Sequence, residues 1–214
     1  MGEGGYFSGG YLGLDAVGGQ IGGRFNASFK GIEVNLQTTT NNGGWPQYGI
    51  YVEAKNPAVT DHIYGVYSYV EGNNAAGNVI GVYSKPKGPG GFVTSFYGEG
   101  NVNITGSYYS SSDAKLKQNI KPMQSMLDKI MQLSPSTYEY RTEEYKMNLP
   151  KGNQFGLIAQ DVQKVFPELV ANQVRPAEYD QKTKEKLSDE VKYLGVNYTG
   201  LIPIIISGMQ DLKR

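Results

Sequence analysis

The stretch that decides the organisation of this chain is Ser110–Ile120, which reads Ser-Ser-Ser-Asp-Ala-Lys-Leu-Lys-Gln-Asn-Ile. The composition of the chain changes around it. Most of the 29 glycines precede Ser112, whereas most of the lysines follow it. A compositional shift of this kind indicates a domain boundary. We therefore predict two domains, residues 1–111 and residues 112–214.

The first predicted domain contains a short repeat. A glycine followed by β-branched or aromatic residues recurs every 16 to 18 residues, and polar or glycine-rich turns separate the units. A fixed period predicts a repeat architecture, in which one unit cannot bury its apolar face alone. We predict an intertwined β-stalk of three chains; the alternative is a single-chain β-sandwich with glycine-rich hairpins. The units begin at Gly13, Gly31, Gly49, Gly65 and Gly81, and the turns include residues 71–74 and 87–90.

The second predicted domain mixes helical and strand periodicity, so the fold class of the whole chain is α+β. Apolar residues at helical spacing predict about three turns of helix after Pro122. Alternation predicts a strand over residues 137–141, and the block Gly156–Val162 leads into a second helix that ends near Pro167. Residues 173–192 are charged and poor in large apolar side chains, which predicts an exposed excursion.

The last part of the chain has an apolar seam at heptad spacing, with steps of four and three residues. This pattern is typical of a short coiled coil, here a trimeric one. A plain amphipathic core helix is the alternative for so few heptads. Pro203 is tolerated only if it lies in the first turn of the helix. The seam consists of Tyr198, Ile202, Ile205, Met209 and Leu212.

Three blocks of the second domain, in order, resemble the endosialidase-type intramolecular chaperone family of phage tail spikes and fibres. The first block is Ser112–Ile120. The second is Gly156–Val162, continued by Phe-Pro-Glu-Leu-Val over residues 166–170. The third is Val-Asn-Tyr over residues 196–198, followed by Leu-Ile-Pro over residues 201–203. The resemblance covers residues 112–214 and implies a C-terminal domain that trimerises a fibre.

The resemblance also implies self-cleavage immediately before the first block. Family members use a serine-lysine dyad with the lysine five positions after the serine. Carried over, Ser112 is the nucleophile, Lys117 is the general base, and the scissile bond joins Ser111 to Ser112. Asp113 either orients the dyad or caps the turn. The family more often has arginine where Lys115 stands, which leaves the charge unchanged but alters the hydrogen-bonding geometry.

The resemblance implies that the chain is an autocatalytic serine endopeptidase with one turnover on its own chain. Its partners would be two further copies of itself and its own N-terminal fibre segment, in a virion or on a bacterial surface.

The many tyrosines could form a platform for a host-surface glycan, or they could simply pack strands. Residues 1–5 lack a signal pattern, and we expect the segment to be cut from a longer protein.

Composition excludes several other classes of protein. The 20 basic and 20 acidic side chains balance, so we expect no nucleic-acid partner. Apolar runs are too short for membrane insertion. Cysteine is absent and His62 is the single histidine, so we expect no metal site and no cofactor. The motif Gly98-Glu99-Gly100 lacks the third glycine of a dinucleotide-binding loop.

Two other functions stay open at this point. The chain could be a permanent structural or receptor-binding trimer tip whose chaperone-like domain never cleaves. It could also be a conventional hydrolase with an external substrate, although the repeats show no convincing carboxylate pair for that chemistry.

Overall fold

The computed structural model describes residues 21, 25, 30, 32–36, 48–54, 62–72, 79–87, 93–180 and 183–212. The chain divides into two compact units, Met1–Val82 and Tyr83–Arg214. The domain boundary expected between residues 111 and 112 lies inside the second unit, and it stays a prediction. The repeat residues Gly13 and Gly31, and the turn positions 73–74 and 88–90, lie outside the described residues.

The described stretches of the repeat region are irregular and exposed, and no residue among them lies in a strand. One contact nevertheless recurs with the repeat. In the first unit the hydroxyl of Ser68 donates to the carbonyl of Gly81 at 3.1 Å. In the second unit the hydroxyl of Ser84, 16 residues further on, donates to the carbonyl of Ser95 at 3.2 Å. Both the intertwined stalk and the β-sandwich stay predictions.

The rest of the chain has short helices and small antiparallel sheets, which agrees with the expected α+β class. Within the described residues there are three sheets of two strands each, which pair β1 with β2, β3 with β6, and β4 with β5. The helices are α1 (Leu127–Ile130), α2 (Ala159–Val165) and α3 (Leu201–Asp211), with 3₁₀ turns at Ala114–Leu116, Pro167–Leu169 and Tyr198–Gly200. The strands are β1 (Ser136–Tyr138), β2 (Gln154–Gly156), β3 (Val170–Arg175), β4 (Glu178–Tyr179), β5 (Lys186–Ser188) and β6 (Val191–Val196).

The hydrophobic core lies where α2 and the 3₁₀ turn after it pack against α3. Val162 and Phe166 are four residues apart, so they lie on the same side of α2 and its C-cap. Leu201 and Ile204 occupy one face of α3, and partly buried Met126, Ile130 and Leu157 surround the cluster. The buried hydrophobic side chains of the described residues are Val162, Phe166, Leu169, Leu201 and Ile204.

Helix α1 is one turn long, so the predicted three turns after Pro122 are wrong. Its start is fixed by the far end of α3, because Asp211 accepts hydrogen bonds from the Ser125 hydroxyl at 2.8 Å and from the Met126 amide at 3.2 Å. The second of these bonds takes up a backbone donor that a helix starting several residues earlier would use internally. The chain leaves the helix soon after Ile130, since Pro135 disfavours helical geometry in the residue before it.

The described residues of 173–192 are mostly exposed, as their charge predicts, but the segment is paired rather than irregular. It contains the end of β3 and the start of β6, which pair in register from Val170 opposite Val196 to Arg175 opposite Val191. Strands β4 and β5 extend the same excursion as a second pair. One charged residue of this segment, Arg175, is buried, and its guanidinium pairs with the acidic side chains of Glu99 and Glu178.

The strand predicted over residues 137–141 is confirmed only in its first part, because β1 ends at Tyr138, whereas the predicted helix after Gly156 is confirmed as α2. Helix α3 is confirmed too, and Pro203 lies in its first turn. The side of α3 that meets the core carries Leu201, Ile204 and Gly208. A Cβ at Gly208 would lie 2.5 Å from Cδ1 of Ile130, so a larger residue there would require that side chain to move. The coiled-coil seam faces outward and stays a prediction.

No helix among the described residues is both long enough and apolar enough to cross a membrane.

We predict that Phe166→Ala lowers the free energy of unfolding by about 3–5 kcal/mol, because it empties a site that is 2% exposed in the core. Chemical denaturation followed by circular dichroism measures this loss. Phe155→Ala is the matched control, since Phe155 is 81% exposed and its removal should change stability by less than about 0.5 kcal/mol. Equal losses for the two variants would contradict the assignment of the core.

Candidate functional site

A single 3₁₀ turn organises the segment that follows Ser111. The amide of Leu116 donates to the carbonyl of Asp113 at 3.1 Å, and the amide of Lys117 donates to the carbonyl of Ala114 at 3.0 Å. Lys117 itself is extended, with φ −118° and ψ 152°. The turn therefore reverses the chain over residues 114–116 and brings the side chain of Lys117 back toward residue 112.

The two residues expected to form a dyad are in contact. The amine nitrogen Nζ of Lys117 donates to Oγ of Ser112 at 2.8 Å. Both side chains are exposed, as is Ser111 on the other side of the expected scissile bond. The turn thus supplies the nucleophile–base distance that covalent catalysis requires.

Of the two roles considered for Asp113, orienting the dyad or capping the turn, its contact is that of a cap. Its carboxylate accepts from the amide of Lys115 at 2.9 Å, which satisfies the first free donor of the 3₁₀ turn. The other carboxylate oxygen lies 3.2 Å from the ammonium of Lys115. Lys115 is therefore paired with Asp113, and its charge is directed to that carboxylate.

The backbone conformation at position 119 accounts for the asparagine found there. Asn119 has φ 55°, in the left-handed region. Asparagine tolerates this conformation far better than β-branched residues do. The asparagine of the Lys-Gln-Asn-Ile sequence thus ends the reversal that starts at Asp113.

The chemistry available to this pair depends on the protonation state of the lysine. A protonated lysine amine donates to the serine oxygen and cannot accept its proton, whereas a neutral amine can accept it. Removal of water around the pair favours the neutral amine. In that state the serine hydroxyl can pass its proton to the lysine and become a competent nucleophile.

A second group of polar side chains was missed by the sequence analysis. Arg175, with a side chain that is 3% exposed, lies at the end of β3 and pairs with Glu99 and Glu178. The signal available in the sequence was weak: an arginine followed by an acidic residue three positions later. Glu99 is distant in sequence, and no local pattern connects it with Arg175.

The second and third sequence blocks are joined by one tyrosine. The hydroxyl of Tyr198 accepts from the amide of Leu157 at 2.9 Å. Gly156 makes room for it, because a Cβ there would lie 2.7 Å from the Tyr198 oxygen. The blocks Gly156–Val162 and 196–203 therefore meet in space, and they contribute Val162, Leu201 and, from the continuation of the second block, Phe166 to the core.

Comparison with known proteins identifies the segment that begins at the candidate nucleophile. Residues 112–171 match the family model described as chaperone of endosialidase. The match covers the first two sequence blocks and starts at Ser112, whereas the third block lies outside it.

A curated relative is an uncharacterised protein of Dictyostelium discoideum, which is 39% identical over 66 residues. The aligned region is 29% of this chain and 6% of that protein, so the chain spans a small fraction of its relative. The family match supports an endosialidase-type chaperone domain over residues 112–171 of this chain.

Proposed function

We propose that this chain is the end of a trimeric fibre fused to its own chaperone, and that the chaperone cuts itself off between Ser111 and Ser112. The observation that carries the proposal is the 2.8 Å hydrogen bond from Lys117 Nζ to Ser112 Oγ. This contact lies at the first residues of the family match. The spacing of the dyad, the start of the family segment and the geometry of the turn all support the same bond as the cleavage site.

The proposed reaction has two steps. Neutral Lys117 takes the proton of the Ser112 hydroxyl, and Oγ attacks the carbonyl carbon of Ser111. The carbon–nitrogen bond breaks, Lys117 returns the proton to the amide nitrogen, and an ester links the Ser111 carbonyl to Ser112 Oγ. Water then hydrolyses the ester, which leaves a carboxylate on Ser111 and restores the hydroxyl of Ser112 beside a new amino terminus. The products are residues 1–111 and 112–214.

Exposure of Ser112 and Lys117 in the single chain supports a cleavage reaction that waits for assembly. Burial of a lysine favours its neutral form, so we expect the pair to become active only when another surface covers it. Assembly of three chains provides such a surface. Cleavage then follows assembly, and an unassembled chain stays intact.

The outer face of α3 supports assembly. Ile202, Ile205, Met209 and Leu212 are between 47% and 72% exposed, although they follow the heptad spacing of a coiled coil. Contiguous exposed apolar side chains mark an interaction surface. Helix α3 thus contributes one face to the core of its own domain and offers the other to copies of itself.

A fibre gains from such a module for kinetic reasons. Pairing between distant segments and between chains is slow and prone to misregister. A C-terminal trimer holds three stalk ends together and raises their effective concentration. Its removal takes away the nucleus for refolding, so the finished stalk is held by its unfolding barrier.

The proposed setting is a phage tail fibre in a virion, with a host-surface glycan as the receptor candidate. Tyr67, Tyr83 and other exposed tyrosines of the repeat region support this candidate because aromatic faces stack on the apolar faces of sugars. A bacterial surface fibre would use the same assembly mechanism. The competing function is a permanent trimer tip, in which Ser112 and Lys117 are ordinary turn residues.

We predict that Ser112→Ala abolishes cleavage, because it removes the nucleophile. Lys117→Arg slows cleavage at least about 100-fold, since an arginine keeps the positive charge but cannot serve as a base. Denaturing intact mass of the purified chains, followed over time, measures both effects.

Matched controls lie next to each residue. Ser111→Ala keeps the scissile carbonyl and should be cut like the wild type, and Lys115→Arg should also be cut. Cleavage of Ser112→Ala at the wild-type rate would exclude the proposed nucleophile. An uncut wild-type trimer would favour the permanent tip.

We predict that Ile205→Glu shifts the trimer–monomer equilibrium so that assembly requires at least about tenfold more protein, because three like charges would be buried along the seam. Light scattering after gel filtration measures the shift. Gln210→Glu adds the same charge to α3 away from the seam and should leave assembly unchanged. If both variants assemble like the wild type, α3 is not the trimer interface.

A further inference from the structure

A buried ion pair connects the two sides of the proposed cleavage site. Nε of Arg175 donates to one carboxylate oxygen of Glu99 at 2.9 Å. Another nitrogen of the same guanidinium lies 2.9 Å from Glu178, and the third donates to the hydroxyl of Ser188. The Arg175 side chain is 3% exposed, whereas that of Glu99 is 25% exposed. All four residues belong to the compact unit Tyr83–Arg214.

Glu99 is held on its other side as well. Its second carboxylate oxygen accepts from the backbone amide of Asn148 at 3.0 Å, and the hydroxyl of Tyr97 donates to the first at 3.4 Å. Partial burial opposes ionisation of Glu99, but the hydrogen bonds from Asn148 and Arg175 hold its pKa below the ordinary value. The carboxylate is therefore ionised at neutral pH and pairs with the guanidinium as a full charge.

The glycine that follows Glu99 fits this contact. Gly100 has φ +113°, which other residues rarely adopt, and a Cβ at this position would lie 3.1 Å from the side chain of Asn148. The Gly-Glu-Gly sequence that does not fit a dinucleotide loop thus has another use. It presents a glutamate on a tight bend whose backbone lies directly against the loop around Asn148.

Glu99 precedes the Ser111–Ser112 bond, whereas Asn148, Arg175 and Glu178 follow it. Hydrolysis of that bond removes the covalent connection but breaks none of these contacts. Loss of one partner from a buried ion pair is strongly destabilising, because the remaining charge is left uncompensated.

We propose that Arg175 and the amide of Asn148 form a docking site for the stalk-end segment Tyr97–Gly100, and that this site keeps the cleaved fragments together. The inference rests on the proposed self-cleavage. It adds that release of the chaperone is a separate step, limited by the opening of the Glu99–Arg175 contact. Hydrolysis of the peptide bond and dissociation of the two fragments can then occur at different times.

The test replaces self-cleavage by an external cut, so that docking is measured by itself. A full-length chain carrying Ser112→Ala receives a site-specific protease sequence between Ser110 and Ser111, where the chain is exposed. After the cut, gel filtration at neutral pH follows separation of the two fragments over time. Glu99→Gln is the test variant, since it keeps an acceptor for Asn148 and removes the charge.

Glu71→Gln is the matched control, because Tyr69 and Glu71 form the same Tyr-x-Glu hydrogen bond, at 3.0 Å, in the first unit. We expect the cut parent and Glu71→Gln to stay associated, and the fragments of Glu99→Gln to separate at least about tenfold faster. Gly100→Ala should also speed separation, since it strains the bend. Circular dichroism before the cut verifies that each variant is folded.

Separation of Glu99→Gln at the rate of Glu71→Gln would overturn the docking site, as would immediate separation of the cut parent. Failure of the proposed self-cleavage has a different signature. It appears in the unmodified wild-type chain, as full-length protein in a denaturing mass measurement, whatever the docking experiment shows.

Discussion

The fold of the described residues after Ser111 depends on one hydrophobic cluster, in which side chains of α2, its C-cap and the turn Pro167–Leu169 meet the inner face of α3. Phe166 and Val162 fill this cluster from one side, and Leu201 and Ile204 fill it from the other. Other elements are attached to it. Tyr198, just before α3, binds the amide of Leu157, and Asp211, at the end of α3, sets the start of α1. A core this small leaves little reserve of stability, because the area buried on folding grows with domain size.

The same small core supports the proposed assembly. The second domain has few buried hydrophobic side chains among its described residues, while an apolar seam of α3 and many strand-type residues of the repeat region are exposed. Burial of that surface between copies would add the hydrophobic stabilisation that the single chain lacks. It would also take water away from Ser112 and Lys117. In this account, stability and catalytic competence come from the same association.

Local patterns predicted part of the fold and of the site, and the failures share a physical cause. Helix α2, strand β1 and the position of Pro203 follow from periodicity and from the geometry of proline, which are local properties. The contact of Lys117 with Ser112 depends on one turn, so five positions of spacing and a family resemblance were sufficient to expect it. The length of α1 depends on Asp211, and the burial of Arg175 depends on Glu99, both more than 70 residues away. Contacts over such separations leave no trace in local composition, so the burial of one arginine in a charged, mostly exposed segment was not predicted.

We propose that assembly activates cleavage at Ser111–Ser112. The most direct measurement separates freshly purified wild-type chains into monomeric and trimeric fractions and determines the denaturing mass of each at successive times. We expect two fragments, residues 1–111 and 112–214, in the trimeric fraction, and full-length chains in the monomeric fraction. Trimers that stay intact, or monomers that are cut as fast as trimers, would contradict it.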